Sequence, residues 1–378
     1  IGYEAGKFNQ TGTGNIYIGY QAGMGSFENS HSGNVGIGYY ALRVVTTGAG
    51  NVVLGQYAGD SVTSGGDNVI IGNSAGATMT STTNTVLIGR SAGTAINSTD
   101  ANGTVAIGYT AGQSITSGAA NTVIGYESGK ALTTGGSNIS LGYQAHLALV
   151  SGDNNVAIGV NAADAMAVGE SENIAIGTSA LGGMDEGTAG GDIDGNIAIG
   201  HAALVGGDLA GNDRQVQDNI AIGRNSLNST SDNAQTGTIA IGKDALTALT
   251  SGAGNTAIGY LAMATSTVNH SNVAIGYAAM RYSNGNESQN VAIGYEAGTS
   301  MDNNDSSKSI LIGYRAGKGG TGEIDRCVVI GDGAMDGTGA VGAQQNIFIG
   351  NDAGGGTWTT AASNSNVAIG ATAMSAAL

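Results

Sequence analysis

The sequence predicts an all-β protein that folds as a parallel β-solenoid of about 21 coils. Three observations support this prediction: one short motif recurs along the whole chain, β-branched residues stand at a fixed distance before it, and proline is absent. The dipeptide Ile-Gly or Leu-Gly recurs in 21 regularly spaced copies over 378 residues, at intervals of 17 to 23 residues. Because repeats of this length form stacked units that bury one another, we expect one coil per repeat.

Each motif ends a short predicted strand. The residue three before the glycine is β-branched in every repeat where it can be observed, and the residue just before the glycine is nearly always Ile. Residues two apart share one face of a strand, and β-branched side chains suit a packed sheet surface. We therefore predict that these positions form the inner wall of each coil. The predicted core includes Ile71, Ile107, Ile158, Ile176, Ile258, Ile275 and Ile293.

The residue between these two positions is mostly Ala and otherwise apolar. A strand that is apolar on both faces is usually buried on both faces. Since a coil of about 18 residues encloses a single core, we expect the second face to contact another chain.

Asparagine occupies the position four before the glycine in 15 of 20 repeats. Stacked coils would place these amides about 4.8 Å apart, as in the asparagine ladders of stacked sheets. The predicted ladder includes Asn51, Asn68, Asn121, Asn155, Asn173, Asn255, Asn272 and Asn290.

The glycine itself suits a corner that needs a positive φ or a close backbone approach. Three residues later the chain nearly always carries Ala, and the next residue is Gly, as at Gly59, or a larger apolar residue, as at Leu42 and Met263. We interpret this position as a second corner of the coil, which either glycine or a larger apolar residue can occupy. The rest of each repeat is rich in Thr, Ser, Gly, Asn and Asp and is predicted to be a turn.

Composition excludes several classes of protein. The chain has 68 Gly and no Pro, which indicates that nearly every backbone N–H is used as a donor. A net charge of -16 argues against nucleic acid as a partner, and a single Cys excludes a disulfide framework. No apolar run approaches the roughly 18 residues of a membrane span, so we expect no membrane insertion. Since composition does not shift along the chain, we expect residues 1–378 to form one continuous domain, a segment of a longer fibre protein.

Segments such as Asn272–Ala279 and Asn290–Gly298 both read Asn-Val-Ala-Ile-Gly-Tyr at their start. They resemble the head repeat of YadA-like trimeric autotransporter adhesins and the Asn-x-Ala-Ile-Gly-Tyr-x-Ala arrays of bacteriophage tail fibres. The resemblance covers essentially the whole chain. It implies a left-handed β-roll assembled as a parallel homotrimer. The repeat is longer than that of the adhesins, which favours a tail fibre or an environmental filament.

The expected function is that of a non-enzymatic structural fibre segment: the shaft or adhesive part of a phage tail fibre or of an extracellular filament on a cell surface. Its expected partners are further copies of itself and a host-surface receptor or glycan, which it would bind through many weak contacts. Two alternatives remain open. Recurrent Thr in the turns, as at Thr46 and Thr133, would suit an ice-binding solenoid, and acidic turns would suit a polysaccharide-degrading tailspike-like hydrolase.

No set of catalytic or cofactor-binding residues is predicted. His31, His146, His201 and His270 have no recurring Ser or Cys partner, and Cys327 stands at an asparagine position where small size is the requirement. No pair of carboxylates repeats at a fixed spacing. We therefore do not expect an enzyme.

The two longest repeats carry acidic insertions. We predict that these insertions form a protruding contact patch or a weak Ca²⁺ site, because hard cations favour clustered carboxylates; the alternative is two solvated loops. The candidate calcium ligands are Asp192 and Asp194, and the candidate contact residues are Asp185, Glu186, Asp208, Asp213 and Arg214.

Overall fold

The computed structural model describes residues 1–27, 29–184, 192–207, 215–230, 235–301, 306–319, 322–337, 342–356 and 363–375. The chain forms two compact units, Ile1–Gly187 and Thr188–Leu378. Both are built from short parallel strands, so the predicted all-β parallel solenoid is confirmed.

The first unit contains a stack of three-residue strands and one short 3-10 turn at Thr99–Ala101. The strands are β1 Ile16–Ile18, β2 Val35–Ile37, β3 Val52–Leu54, β4 Val69–Ile71, β5 Val86–Ile88, β6 Val105–Ile107, β7 Thr122–Ile124, β8 Ile139–Leu141, β9 Val156–Ile158 and β10 Ile174–Ile176.

The second unit contains the same kind of stack together with short two-residue strands in the turns. The three-residue strands are β11 Ile197–Ile199, β13 Ile220–Ile222, β15 Ile239–Ile241, β16 Thr256–Ile258, β17 Val273–Ile275, β18 Val291–Ile293, β19 Ile310–Ile312, β21 Val328–Ile330, β23 Ile347–Ile349 and β25 Val367–Ile369. The two-residue strands are β12 Val216–Gln217, β14 Gln235–Thr236, β20 Ile324–Asp325, β22 Ala343–Gln344 and β24 Ser363–Asn364.

Neighbouring coils pair in register, so equivalent positions stack directly on one another. In β6 and β7, for example, Ala106 lies opposite Val123 and Ile107 lies opposite Ile124. Hydrogen bonds to adjacent coils continue beyond the strands: the N–H of Gly125 donates to the carbonyl of Ile107 (2.8 Å). Such bonds also run through the turns, which explains why the chain tolerates no proline.

The glycine after a three-residue strand has a positive φ and, with Gly370 as an exception, also closely approaches the next coil. Gly125 has a φ of +140°, and a Cβ added to it would collide with the carbonyl oxygen of Gly142 in the next coil. Only glycine satisfies both constraints.

The orientation of the strands is the reverse of the predicted one. The middle residue of each strand points into the coil; Ala106, Val123 and Ala157 are fully buried. The two flanking residues point outward and are only half-buried or exposed. The predicted core assignment is therefore wrong for the following residues, which lie on the outer face: Ile71, Ile107, Ile158, Ile176, Ile258, Ile275 and Ile293.

The reason is the narrow interior of the coil, in which the middle strand residue faces the second corner. A Cβ on Gly317 would lie 2.6 Å from Cδ2 of Leu311, and one on Gly354 would lie 2.9 Å from the Phe348 ring. Large strand residues therefore pair with glycine at the second corner. Where the middle strand residue is alanine, a large side chain at the second corner often fills the interior instead. Examples are the buried pairs Ala175 with Leu181, Ala198 with Leu204, Ala221 with Leu227 and Ala257 with Met263.

The residue before most three-residue strands is an asparagine, and these asparagines form buried runs of linked amides. The backbone N–H of Asn155 donates to Oδ1 of Asn138 (2.9 Å), and its Nδ2 donates to the carbonyl of Glu170 (2.7 Å). Its Oδ1 accepts from the N–H of Asn173 (3.0 Å). Each unit has such a column, and all eight predicted ladder residues lie in one or the other and are buried: Asn51, Asn68, Asn121, Asn155, Asn173, Asn255, Asn272 and Asn290.

Candidate interaction surfaces

The first and third residues of the stacked three-residue strands form an outward-facing surface in each unit, which we call the aliphatic face. Every residue on it is Val, Ile or Leu except Thr122 and Thr256. In β8, Ile139 and Leu141 are both 41% exposed. The aliphatic face therefore carries no charged side chain over its whole length.

The aliphatic face is continuous because the strands stack in register. With strands about 4.8 Å apart, ten strands extend roughly 40 Å along the stack. Soluble monomers rarely leave a continuous apolar surface of this kind in water, and such surfaces usually mark a contact site. The aliphatic face is therefore the strongest candidate contact surface in each unit.

Tyrosines that follow the corner glycine form exposed stacks. The rings of Tyr126 and Tyr143 stack with centroids 5.3 Å apart and an interplanar angle of 7°. Equivalent stacks join Tyr3 to Tyr20 (5.2 Å) and Tyr295 to Tyr314 (5.2 Å). Each ring gives contact area at low entropic cost while its hydroxyl remains available for hydrogen bonding.

A polar group of three side chains stands beside the Tyr126–Tyr143 stack. Glu127 accepts from Nζ of Lys130 (2.7 Å) in the same coil and from Nε2 of Gln144 (2.8 Å) in the next coil. The Lys130 ammonium, followed by the Gln144 amide, holds the pKa of Glu127 below its ordinary value. The carboxylate is therefore ionised and fixed in position.

The same arrangement occurs at the start of the chain. Glu4 accepts from Lys7 (2.6 Å) and from Gln21 (2.6 Å), and the pKa of Glu4 is lowered by the same two kinds of donor. The Tyr3–Tyr20 stack stands beside it.

The threonine hydroxyls in the turns are used within the solenoid. The hydroxyl of Thr46 donates to the carbonyl of Thr63 (3.0 Å), and that of Thr133 donates to the carbonyl of Val150 (3.0 Å). These two hydroxyls link successive coils, and their hydrogens are used in bonds to backbone carbonyls.

Two histidines lie inside the coils. His146 is fully buried, and its Nδ1 is 2.8 Å from the hydroxyl of Ser140. Burial lowers the pKa of His146 to about 3. His31 is also buried, with its Nδ1 2.8 Å from the hydroxyl of Tyr17. Both rings fill space in the interior.

Cys327 lies in the asparagine column. Its thiol is buried and contacts the carbonyl oxygen of Ala343 (3.3 Å), and burial raises its pKa. A buried thiol with a raised pKa is a poor nucleophile.

The structure describes only part of the acidic insertions. Asp192 accepts a hydrogen bond from Nε2 of Gln217 (3.3 Å), and the carbonyl of Asp194 accepts from the N–H of Asp218 (3.2 Å). Among the described residues, no group of three or more His, Cys, Asp or Glu side chains could hold a metal ion. The calcium site stays a prediction. The candidate contact residues lie outside the described ranges: Asp185, Glu186, Asp208, Asp213 and Arg214.

No protein-family model matches this sequence, and a comparison with curated proteins found no significant match. Within the ranges that the structure covers, no helix has the length and apolar character needed to cross a membrane.

The polar groups beside the tyrosine stacks were missed by the sequence reasoning, because their members come from two successive coils. A signal was nevertheless present. The sequence Tyr-Glu-x-Gly-Lys occurs at residues 3–7 and again at 126–130, and Tyr-Gln follows one coil later in both cases.

Proposed function

We propose that this chain is a non-enzymatic structural segment of a fibre, the shaft or adhesive part of a phage tail fibre or extracellular filament. Its chains assemble side by side as a parallel homotrimer through the aliphatic face. The observation that carries the proposal is the uncharged Val, Ile and Leu surface that each unit turns outward.

The in-register stack supports self-assembly through this surface. Apart from Thr122 and Thr256, the stacked three-residue strands present the same two aliphatic positions at the same spacing, so parallel copies match coil by coil. Full burial of an exposed Val or Ile side chain contributes roughly 1.5 to 3 kcal/mol, of which assembly would add the part that half-burial has not already supplied, and many such side chains lie along the stack. The number three and the left-handed coil come from the resemblance to the adhesin and tail-fibre repeats.

The buried histidines and cysteine support a role without catalysis. A general base must reach the proton that it removes, but His146 lies wholly inside its coil against Ser140. Turn threonines such as Thr46 and Thr133 likewise disfavour the ice-binding alternative, because their hydroxyls donate to backbone carbonyls of the next coil.

The test is the mass in solution, measured by light scattering. The wild-type chain should have three times the chain mass of 37.0 kDa. Ile158→Glu combined with Ile176→Glu places charges on the aliphatic face and should give a folded monomer. Ser64→Glu combined with Thr134→Glu adds the same charge at exposed turn positions and should leave the trimer intact.

Circular dichroism on the same samples checks that each variant remains folded. A wild-type monomer would refute assembly through the aliphatic face. Equal dissociation of both double variants would show that added charge alone, regardless of its position, separates the chains.

A further inference from the structure

We propose that two equivalent surface clusters each bind an extended polysaccharide chain. This inference rests on the proposed function, because the two clusters would supply the contacts by which an exposed fibre attaches to a surface. The first glycan cluster consists of Tyr126, Glu127, Lys130, Tyr143 and Gln144. The second glycan cluster consists of Tyr3, Glu4, Lys7, Tyr20 and Gln21.

The two clusters share one geometry although they are far apart in the sequence. Ring centroids are 5.3 Å apart in the first cluster and 5.2 Å apart in the second. The lysine-to-glutamate distances are 2.7 and 2.6 Å, and the glutamine-to-glutamate distances are 2.8 and 2.6 Å. Side chains that are already held in place lose little entropy when a ligand binds.

The clusters combine the groups that a sugar needs. Sugars have apolar C–H surfaces and hydroxyls that both donate and accept, and each cluster offers aromatic surface beside a carboxylate acceptor and two kinds of N–H donor. Tyr126 and Tyr143 are 46% and 47% exposed, so their rings are accessible from solvent.

The charges of each cluster favour an uncharged ligand. Glu127 and Lys130 form an ion pair, as do Glu4 and Lys7, so neither cluster presents an uncompensated charge. The net charge of -16 on the chain further disfavours polyanions. A neutral polyol is therefore a better match than a phosphate or a nucleic acid.

The spacing of the rings favours an extended glycan over a coiled one. Consecutive rings lie 5.2 and 5.3 Å apart along Tyr109, Tyr126 and Tyr143. An extended β-linked glycan advances by nearly this distance per sugar, so successive sugars would meet equivalent rings in successive coils. The backbone of an α-linked, helical glucan cannot follow such a line.

The experiment is calorimetric titration of the intact protein with cellohexaose, an extended β-linked glucan, and with maltohexaose, an α-linked glucan of equal length. Cellohexaose should bind at least tenfold more tightly than maltohexaose. Replacing Tyr3, Tyr20, Tyr126 and Tyr143 by Ser should weaken cellohexaose binding at least tenfold.

The matched control is Tyr260→Ser with Tyr277→Ser. These rings are 5.5 Å apart, and the residues that directly follow them, Leu261 and Ala278, are apolar, so neither coil carries the Glu-x-x-Lys pair of the glycan clusters. The control should bind cellohexaose as the wild type does. A second variant, Lys7→Met with Lys130→Met, keeps all four rings and should lower the affinity at least threefold.

Absence of cellohexaose binding, or equal loss in the cluster variant and the control, would overturn the proposal. Light scattering on the same samples separates this result from the fibre proposal. A trimer that does not bind cellohexaose refutes only the glycan clusters, whereas a monomer that binds it refutes only the assembly.

Discussion

At the corner after each three-residue strand, a side chain larger than hydrogen is excluded for two separate reasons. The backbone has a φ near +140°, which L residues rarely adopt, and the carbonyl of the equivalent glycine in the next coil occupies the place of a Cβ, as Gly125 and Gly142 illustrate. Both constraints recur along the stack, with Gly370, where no atom lies within 4 Å of an added Cβ, as an exception, so this glycine is the least replaceable residue of the repeat.

Gly125→Ala should therefore destabilise the protein by about 3 kcal/mol or more, because strain and collision add. Gly237→Ala is the control: Gly237 also has a positive φ (+61°), but no atom lies within 4 Å of a Cβ added there. It should cost only about 1 to 2 kcal/mol. Urea unfolding measures both, and equal losses would show that the collision is relieved by a small backbone shift.

His146 replaces the usual corner residue with a titratable one. His146 stands at the second corner of its coil, where other coils carry residues such as Leu181. Ser140 stands at the middle position of β8, where other coils carry residues such as Ala175. Burial lowers the pKa of His146 to about 3, below the ordinary 6.5, so the folded protein keeps the ring neutral. Its unfolded form takes up a proton below pH 6.5, and stability should fall from there towards pH 3.

Between pH 7 and pH 5 the protonation of His146 in the unfolded state should lower the free energy of unfolding of the wild-type protein by about 2 kcal/mol. Ser140→Ala with His146→Leu restores the pair found at Ala175 and Leu181 and should remove this part of the pH dependence. His270→Gln, at an exposed position, should keep it. Urea unfolding at pH 7 and pH 5 compares the three proteins; an unchanged pH response in the double variant would contradict the assignment.

At the scale of the coil, the interior has a nearly fixed volume that two positions share. Leu311 in β19 fills the space that Gly317 leaves open, and Phe348 in β23 does the same beside Gly354. Other coils reverse the arrangement with a small strand residue and a large corner residue. Such sharing predicts strong coupling between residues six apart in the sequence.

Leu311→Ala should cost roughly 2 to 5 kcal/mol through the cavity that it creates. Gly317→Leu alone should also destabilise, since its Cβ would lie 2.6 Å from Leu311. In a double-mutant cycle, the loss of unfolding free energy in the double variant should be smaller than the sum of the two single losses by at least about 1 kcal/mol. Additive losses would mean that the two positions do not share one space.

The sequence alone was sufficient to predict the coils, the corner glycine and a column of asparagines, because each leaves a strict periodic pattern. It failed on strand orientation for a physical reason. Period-two alternation identifies the buried face only when the other face is polar, and here both faces are apolar. The volume exchange between positions such as Leu311 and Gly317 was the signal that could have distinguished the two faces.

At the scale of the whole molecule, the reversed orientation strengthens the case for association. The residues that face outward are the large Val and Ile side chains instead of alanine, so water meets more apolar surface than the sequence reasoning assumed. An isolated chain would leave this surface exposed.

If assembly buries the aliphatic face, thermal stability must depend on protein concentration, because association stabilises the folded form by mass action. The melting temperature of the wild type should rise on the order of 1 °C for each tenfold increase in concentration. The Ile158→Glu and Ile176→Glu double variant should melt at one temperature throughout. Differential scanning calorimetry over a hundredfold concentration range checks this, and a constant wild-type melting temperature would argue against association.

In-register pairing makes each unit a one-dimensional lattice: a shift by one coil along the stack places each strand residue on the equivalent residue of the next coil. Ala106 on Val123 and Ile107 on Ile124 are local instances of that symmetry. Removing or duplicating a whole repeat leaves each junction chemically similar to those already present, whereas an insertion of a few residues must be absorbed in a turn. The length of the solenoid can therefore change by whole repeats while the packing inside each coil stays the same.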